Sequence, residues 1–545
     1  MMHDVVFSHA TVIDGTGSPA YRADVAVDGE RITAIREEGT IRQQSAIDAS
    51  GLILSPGFID FHSHSDFILA YARQEQLLDP FLHQGVTTFV GGNCGFSPYP
   101  VDDASCDTVR KNSLFLLPEG FSFEWETLKE FITKVEESGS LLNAALLTGH
   151  GSLRALIKGN NPSPLTRKER VRLTDLIHEA KREGAIGISL GLFYIPSMFA
   201  DAEELEAIFS AAAKDDLLVT IHGHTYSWTS PFYDEKEPAH NVRDVELFCN
   251  LALKTGAKVH LSHMILKGSH TWGTLSQVLD TIQSAVSNGA DISFGVIPYH
   301  WGNTLIKTLL PAWFLEDFEG NLVDPVAVAR LGKELEETER NIGRTNEDLI
   351  LLWGGETGIL QKFEGKSFKH IAEETSLGDM ETVLWIIQES KGAARILTAS
   401  YSGKEDVYEE PLFQFMKHDR AYFEIDAIVT DTKGPQTPAA YGAFPRILGK
   451  YAREHKLFSL EEAVHRVTGK SAQRLGLIDR GFVRVGAYAD LVLFDAASIN
   501  EGDILGSDSG EPSGIKQVWI NGSLVVSDGR RQSPLRCGRV LRNGG

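Results

Sequence analysis

The chain has few cysteines. Four in 545 residues (Cys94, Cys106, Cys249 and Cys537) are too sparse for a disulfide framework, so a reducing, cytoplasmic setting is expected. Positive charge is also scarce. A formal net charge of -22 argues against nucleic acid or an anionic membrane as a partner and favours a soluble protein. No apolar run reaches the length of a membrane-spanning helix. The start, Met1-Met2-His3-Asp4-Val5-Val6-Phe7, lacks the basic and apolar regions of a secretory signal. No glycine-rich dinucleotide turn follows any strand-like segment, which weakens an open doubly wound sheet. No internal repeat or low-complexity segment is present.

The length suits one large barrel with an accessory domain. Residues 5–54 read as short strands with frequent turns, including a hairpin at Asp28-Gly29. From Pro56 the pattern becomes strands alternating with helices. Strands are expected at Gly57–His64, Val86–Gly91, Leu142–Leu147, Ala185–Leu190, Leu217–His222, Lys258–His263, Ile292–Ile297 and Ile425–Thr430. The intervening helices include Leu128–Ser138, Arg167–Glu183, Ala202–Lys214, Asp244–Thr255 and Thr274–Asn288, with apolar spacing near 3.6. This alternation predicts an α/β fold, a (β/α)₈ TIM-like barrel over 56–479. Residues 300–420 interrupt it as an inserted lid subdomain. Strand patterning returns near the end and turns at Asn521-Gly522, so residues 1–55 and 480–545 are expected to combine into one small β-sandwich.

Barrel chemistry gathers at the C-terminal ends of the strands. Those ends carry His62 and His64, then Asn93-Cys94-Gly95, His150, Tyr194, His222-Gly223-His224, Ser262-His263 and Asp431. A single strand-end histidine is more often hydrogen-bonded structure than ligand, a buried cysteine is usually a small hydrophobe, and a lone tyrosine there usually packs with its hydroxyl satisfied. On successive strands facing one mouth, these bland readings fail together, because packing does not need so many imidazoles. Imidazole and thiolate are preferred ligands of zinc, and a catalytic zinc keeps one position for water. With an aspartate to move the proton, this is a hydrolase constellation.

Several motifs then resemble the amidohydrolase superfamily and, within it, the N-acyl-D-amino-acid deacylase (D-aminoacylase) family. They are Ser55-Pro56-Gly57-Phe58-Ile59-Asp60-Phe61-His62-Ser63-His64-Ser65-Asp66, Gly85-Val86-Thr87-Thr88, Gly92-Asn93-Cys94-Gly95, Gly149-His150-Gly151-Ser152-Leu153-Arg154, Gly191-Leu192-Phe193-Tyr194-Ile195-Pro196, Ser262-His263, Tyr441-Gly442-Ala443-Phe444-Pro445-Arg446 and Gly486-Ala487-Tyr488-Ala489-Asp490-Leu491-Val492. The cysteine after strand two marks the deacylase branch; many relatives instead place a carboxylated lysine on strand four, and Gly184–Leu192 contains none. The resemblance implies that Cys94, His222 and His263 hold a tightly bound zinc. His62 and His64 would form a second, weaker site that Cys94 can bridge. Asp431 would be the catalytic aspartate beside the metal, preferred over Asp426, which sits near the start of the expected strand and would face the other way.

The chain departs from the family in its substrate contacts. Where relatives hold the substrate carboxylate with lysine, tyrosine, serine and arginine, the matching positions read Ile265, Ile297, Asn303 and Ala439. Lys267, Tyr299, His300 and His224 are the available substitutes. The expectation is a zinc-dependent hydrolase of a non-peptide C–N bond in a small-molecule amide, with His150, Tyr194 and His224 as substrate contacts. An amide without a free α-carboxylate, or a larger or cyclic one, fits the missing clamp. The rivals are an ester or lactone hydrolase at the same centre and a non-catalytic binding protein. Symmetric homo-oligomers are common, and the sequence chooses no oligomeric state.

Overall fold

The computed structural model describes residues 2–542 except 44, 235–236, 357, 402–408, 430–435, 503–509 and 533–535. Its centre is a ring of eight parallel strands in sequential order. Barrel strands one to eight are Phe58–Asp60, Val86–Gly91, Asn143–Gly149, Gly187–Gly191, Leu218–His222, Lys258–Leu261, Ile292–Val296 and Ala421–Phe423. Strand eight pairs with strand seven through Phe294↔Ala421 and Val296↔Phe423. The ring closes where Phe61 N–H donates to Phe423 O (3.3 Å) and Asp426 N–H to His62 O (3.1 Å).

Strand eight corrects the expected Ile425–Thr430. The apolar run continues past the strand, but Asp426 takes a left-handed backbone (φ 48°) that ends extended pairing. Asp426 therefore lies beyond the C-terminal end of its strand, on the side where barrel chemistry sits. Residues 430–435, with Asp431 among them, are outside the described residues.

The helices follow their sequence signals closely. Leu128–Ser138 and Arg167–Glu183 each open with a capping box, Thr127 with Glu130 and Thr166 with Glu169. Their apolar faces, including Phe131, Ile132, Leu173 and Ile177, pack on the strands in one continuous core. Among the described residues no helix is long and apolar enough to cross a membrane.

The two ends of the chain meet in a nine-stranded sheet, in which Ile53–Pro56 pairs with Leu491–Phe494. Its hairpin turns are Gly29-Glu30, one residue beyond the expected Asp28-Gly29 because Asp28 pairs with Arg31, and Asn521-Gly522. Val540–Leu541 then pairs with barrel strand three at Ala144 and Ala145. Strand four pairs with strand three only from Leu147 onward, so this short tail occupies an edge that the barrel leaves open.

The insertion after strand seven is a three-stranded antiparallel sheet, Trp301–Leu305, Arg395–Ala399 and Leu349–Trp353. Helices including Pro325–Ile342 and Asp379–Glu389 cover it. It has its own core around Leu331, Leu335, Leu351, Ile386 and Ile396.

Candidate active site

Four barrel strands bring one thiol and four imidazoles together. His62 and His64 follow strand one, and His222 ends strand five. Cys94 follows strand two and His263 strand six, both with left-handed backbones (φ 52° and 32°). The Cys94 turn is held from strand four: Gly95 N–H donates to Ser189 Oγ (3.0 Å), and Ser189 Oγ–H donates to Gly92 O. Gly191 must lack a side chain, because a Cβ there would stand 1.8 Å from Cys94 O.

The ligand atoms converge. Cys94 Sγ lies 3.3 Å from His62 Nε2 and 3.5 Å from both His222 Nδ1 and His263 Nε2. His222 Nδ1 and His263 Nε2 are 3.0 Å apart. Asp426 Oδ1 sits 3.5 Å from both His62 Nε2 and His64 Nε2. Ligand–metal distances of about 2.0–2.3 Å in a tetrahedron place neighbouring donor atoms about 3.3–3.6 Å apart. The observed spacing is that of a metal site, and two overlapping donor groups emerge, His62–Cys94–His263 and His62–His64–Asp426.

Electrostatics agree. Burial, and then the neighbouring imidazoles, hold His62 and His222 well below the usual histidine range. His263 is lowered as well, chiefly by burial. All three are therefore neutral, as ligation requires. Burial, followed by Asp426 and Glu424, pushes the Cys94 thiol up; a bound cation inverts that balance and makes it a thiolate. His62 Nδ1 and His64 Nδ1 find no hydrogen-bond partner among the described residues. The donor set fits a zinc-class ion.

Glu424 braces the cluster from below. It accepts from His263 N–H (2.8 Å), bonds His260 Nε2 (2.8 Å), and lies 3.9 Å from His62 Nδ1. Gly295 makes room for it, since a Cβ at that position would fall 1.7 Å from Glu424 Oε1.

A cavity of about 150 Å³ opens over the cluster, lined by His64, Cys94, Tyr194, His222, His263 and Asp426. Tyr194 packs against His222, with ring centres 4.8 Å apart and the planes tilted by 56°. The other two expected substrate contacts do not reach this cavity. His150 is fully buried, with Nδ1 on Ser197 Oγ (3.0 Å) and Nε2 on Glu204 Oε1 (2.8 Å). His224 turns to Asp244 (2.7 Å) and stacks against Phe248. Sequence reasoning did not single out Tyr226 or Arg344, which also line the cavity. Tyr226 reaches it from the loop after strand five, while Arg344 arrives from the distant insertion, which no strand-end pattern reveals.

Residues 426–526 match the model of the amidohydrolase family. The D-aminoacylase of Alcaligenes xylosoxydans xylosoxydans is 30% identical over 539 residues, spanning 99% of this chain and 97% of the relative. A solved D-aminoacylase, whose binuclear centre shows one-metal activation and second-metal attenuation, superposes with a TM-score of 0.78 at 27% identity, over 99% of this chain and 100% of that one. The N-acyl-D-glutamate deacylase of Bordetella bronchiseptica, solved with zinc and a phosphonate mimic of the tetrahedral intermediate, gives 0.78 at 26% identity over the same shares. With the barrel, the composite sheet and this relationship along its whole length, the chain belongs to the D-aminoacylase family of amidohydrolases.

Proposed function

We propose that this protein is a zinc-dependent deacylase of N-acyl amino acids that keep a free carboxylate, of the D series as in its relatives. The observation that carries the substrate class is Lys267. It lines the same cavity as the metal cluster, and burial lowers its ammonium to about 8, with Arg344 adding to the effect. No carboxylate pairs with that ammonium among the described residues, whereas Arg344 is held by Glu339. A lysine facing a cavity with a guanidinium beside it is a site for an anion. Ile265 and Ile297 line the cavity too, so the cation comes two residues beyond Ile265 and a second one comes from the insertion.

Cys94, His222 and His263 would hold the tighter ion, with His62 and His64 offering the second position. Zinc there would supply Lewis-acid polarisation of the amide carbonyl and a water acidified to a pKa of about 7. The chain's own residues do the rest. Asp426, within reach of both strand-one imidazoles, accepts the proton of the attacking water and delivers it to the departing nitrogen. Lys267 fixes the carboxylate end, and the Tyr194 and Tyr226 rings shape the walls. Asp431 is the competing proton carrier. Metal content and turnover of Asp426→Asn and Asp431→Asn separate the two. Asp426→Asn is expected to lose about 10²–10⁴-fold in kcat with the tight metal retained; that loss in Asp431→Asn alone would move the role to Asp431.

A further inference from the structure

The cavity over the metal cluster, about 150 Å³, falls below the roughly 300–1,000 Å³ of most small-molecule sites. A second cavity, of about 260 Å³, adjoins it. The two share Phe115, Asn303, Thr304 and Ile428 as common walls, so they form one site with two chambers.

Their positions around the barrel assign the two halves of the substrate. Lys267 follows strand six. Phe115 follows strand two, and Ile428 follows strand eight, which neighbours strand one. In an eight-stranded ring, strands one and two stand opposite strands five and six. An amide centred on the metal cluster with its carboxylate at Lys267 must point its acyl group toward strands eight, one and two. Leu114 and Phe115 after strand two, with Ile428, Gln436 and Thr437 after strand eight, form the wall of the outer chamber on that side, and the insertion after strand seven forms the rest.

We propose that this chamber is the acyl subsite and that it selects a bulky, uncharged acyl group. The assignment rests on the deacylase reading above. Leu305, Leu352 and Trp353 line the chamber, and all three come from the inserted subdomain. Leu114, also on its wall, is 66% exposed, an apolar cost that an acyl chain would relieve. The charges at the chamber, Arg395 and Glu356, are of opposite sign, so an ionic acyl group has no net field to meet. Arg395 lies over the Trp353 ring at 4.6 Å and keeps that aromatic wall in place. A cavity of about 150 Å³ accommodates benzene, so the chamber has room for an aryl or medium-chain acyl group.

The test compares kcat/KM of the zinc-loaded protein for N-acetyl-, N-hexanoyl- and N-phenylacetyl-D-alanine, in the wild type and in Ala393→Trp. Ala393 is exposed and lines only the outer chamber, so tryptophan there fills it without touching the metal cluster. The expected result is a wild-type preference of at least about tenfold for the larger acyl groups. Ala393→Trp should erase it while the acetyl rate stays within about threefold. Leu305→Trp fills the same chamber from another element and should repeat the result. Equal rates along the acyl series, or a preference that survives both substitutions, would overturn the proposal. Calorimetric binding of phenylacetate and acetate keeps this question apart from the reaction. If no amide is cleaved, the deacylase reading fails; phenylacetate binding that Ala393→Trp abolishes would still support the chamber, and no preference for phenylacetate over acetate would overturn it.

Discussion

Among the described residues, the buried His150 and the histidine cluster at the barrel mouth stand in opposite settings, and only the cluster is a candidate for chemistry. After strands three and four, His150 spends both ring nitrogens on Ser197 and Glu204, and Glu204 also pairs with Arg154. Both ring nitrogens and both Glu204 carboxylate oxygens have partners there, and Arg154 further donates to Ser163 O (2.9 Å), its Nε alone of these groups finding no partner among the described residues. At the mouth, by contrast, the imidazole nitrogens and the Cys94 sulfur face one another. Their neighbouring donor atoms lie 3.0–3.5 Å apart. A histidine closed on both nitrogens is structure, whereas a set of acceptors aimed at each other is waiting for a cation.

The largest effect expected on that contrast comes from the mouth. Cys94→Ala removes the sulfur that touches three imidazoles, so bound zinc measured by atomic absorption should fall to background, and turnover with it, while the fold persists. The His150 network should behave in the opposite way. Glu204→Gln leaves the fully buried Arg154 without its counter-charge, and breaking such a pair costs about 3–5 kcal/mol. Denaturant unfolding should show that loss, while zinc content and turnover at a permissive temperature stay near wild type. A Glu204→Gln protein that is stable but inactive would break the distinction.

Glu424 lies between these extremes, since it is fully buried and also supports ligands. Glu424→Gln keeps the shape but weakens the grip on His263 and His260, and loss of such a supporting carboxylate costs about 10–100-fold in metal affinity or activity. Competition with a chelator checks it. The smallest effect is a pH dependence at Lys267. Its ammonium, lowered by burial to about 8, is charged below that pH and loses its proton above it. KM for a free-acid substrate should therefore rise as pH passes 8, by at most about tenfold per unit. KM for the neutral carboxamide should not follow. Taking the ratio of the two cancels titrations elsewhere in the site.

The alternation of strands and helices was legible in the sequence because the helices keep a 3.6 period and some, as at Thr166–Glu183, also open with a capping box. The metal cluster was legible because its donor residues sit at or just beyond strand ends. Strand eight was not. Ala421 to Val429 reads as one apolar run around Glu424 and Asp426, and nothing in it announces the left-handed turn at Asp426 that ends extended pairing and turns that carboxylate into the site. Arg344 was illegible for a different reason. It lies 81 residues from His263 in the chain and reaches the cavity only because the insertion folds as its own unit over the barrel mouth. His150 misled because a conspicuous strand-end histidine gives no sign in the sequence of the Glu204 that closes it.

The most direct test of the account is amine release by the zinc-loaded protein from an N-acyl-D-amino acid and from its neutral carboxamide, side by side. The account predicts a kcat/KM advantage of about ten- to a hundredfold for the free acid, the worth of a charged hydrogen bond, which Lys267→Met removes. Equal rates, or a preference for the carboxamide, would contradict it.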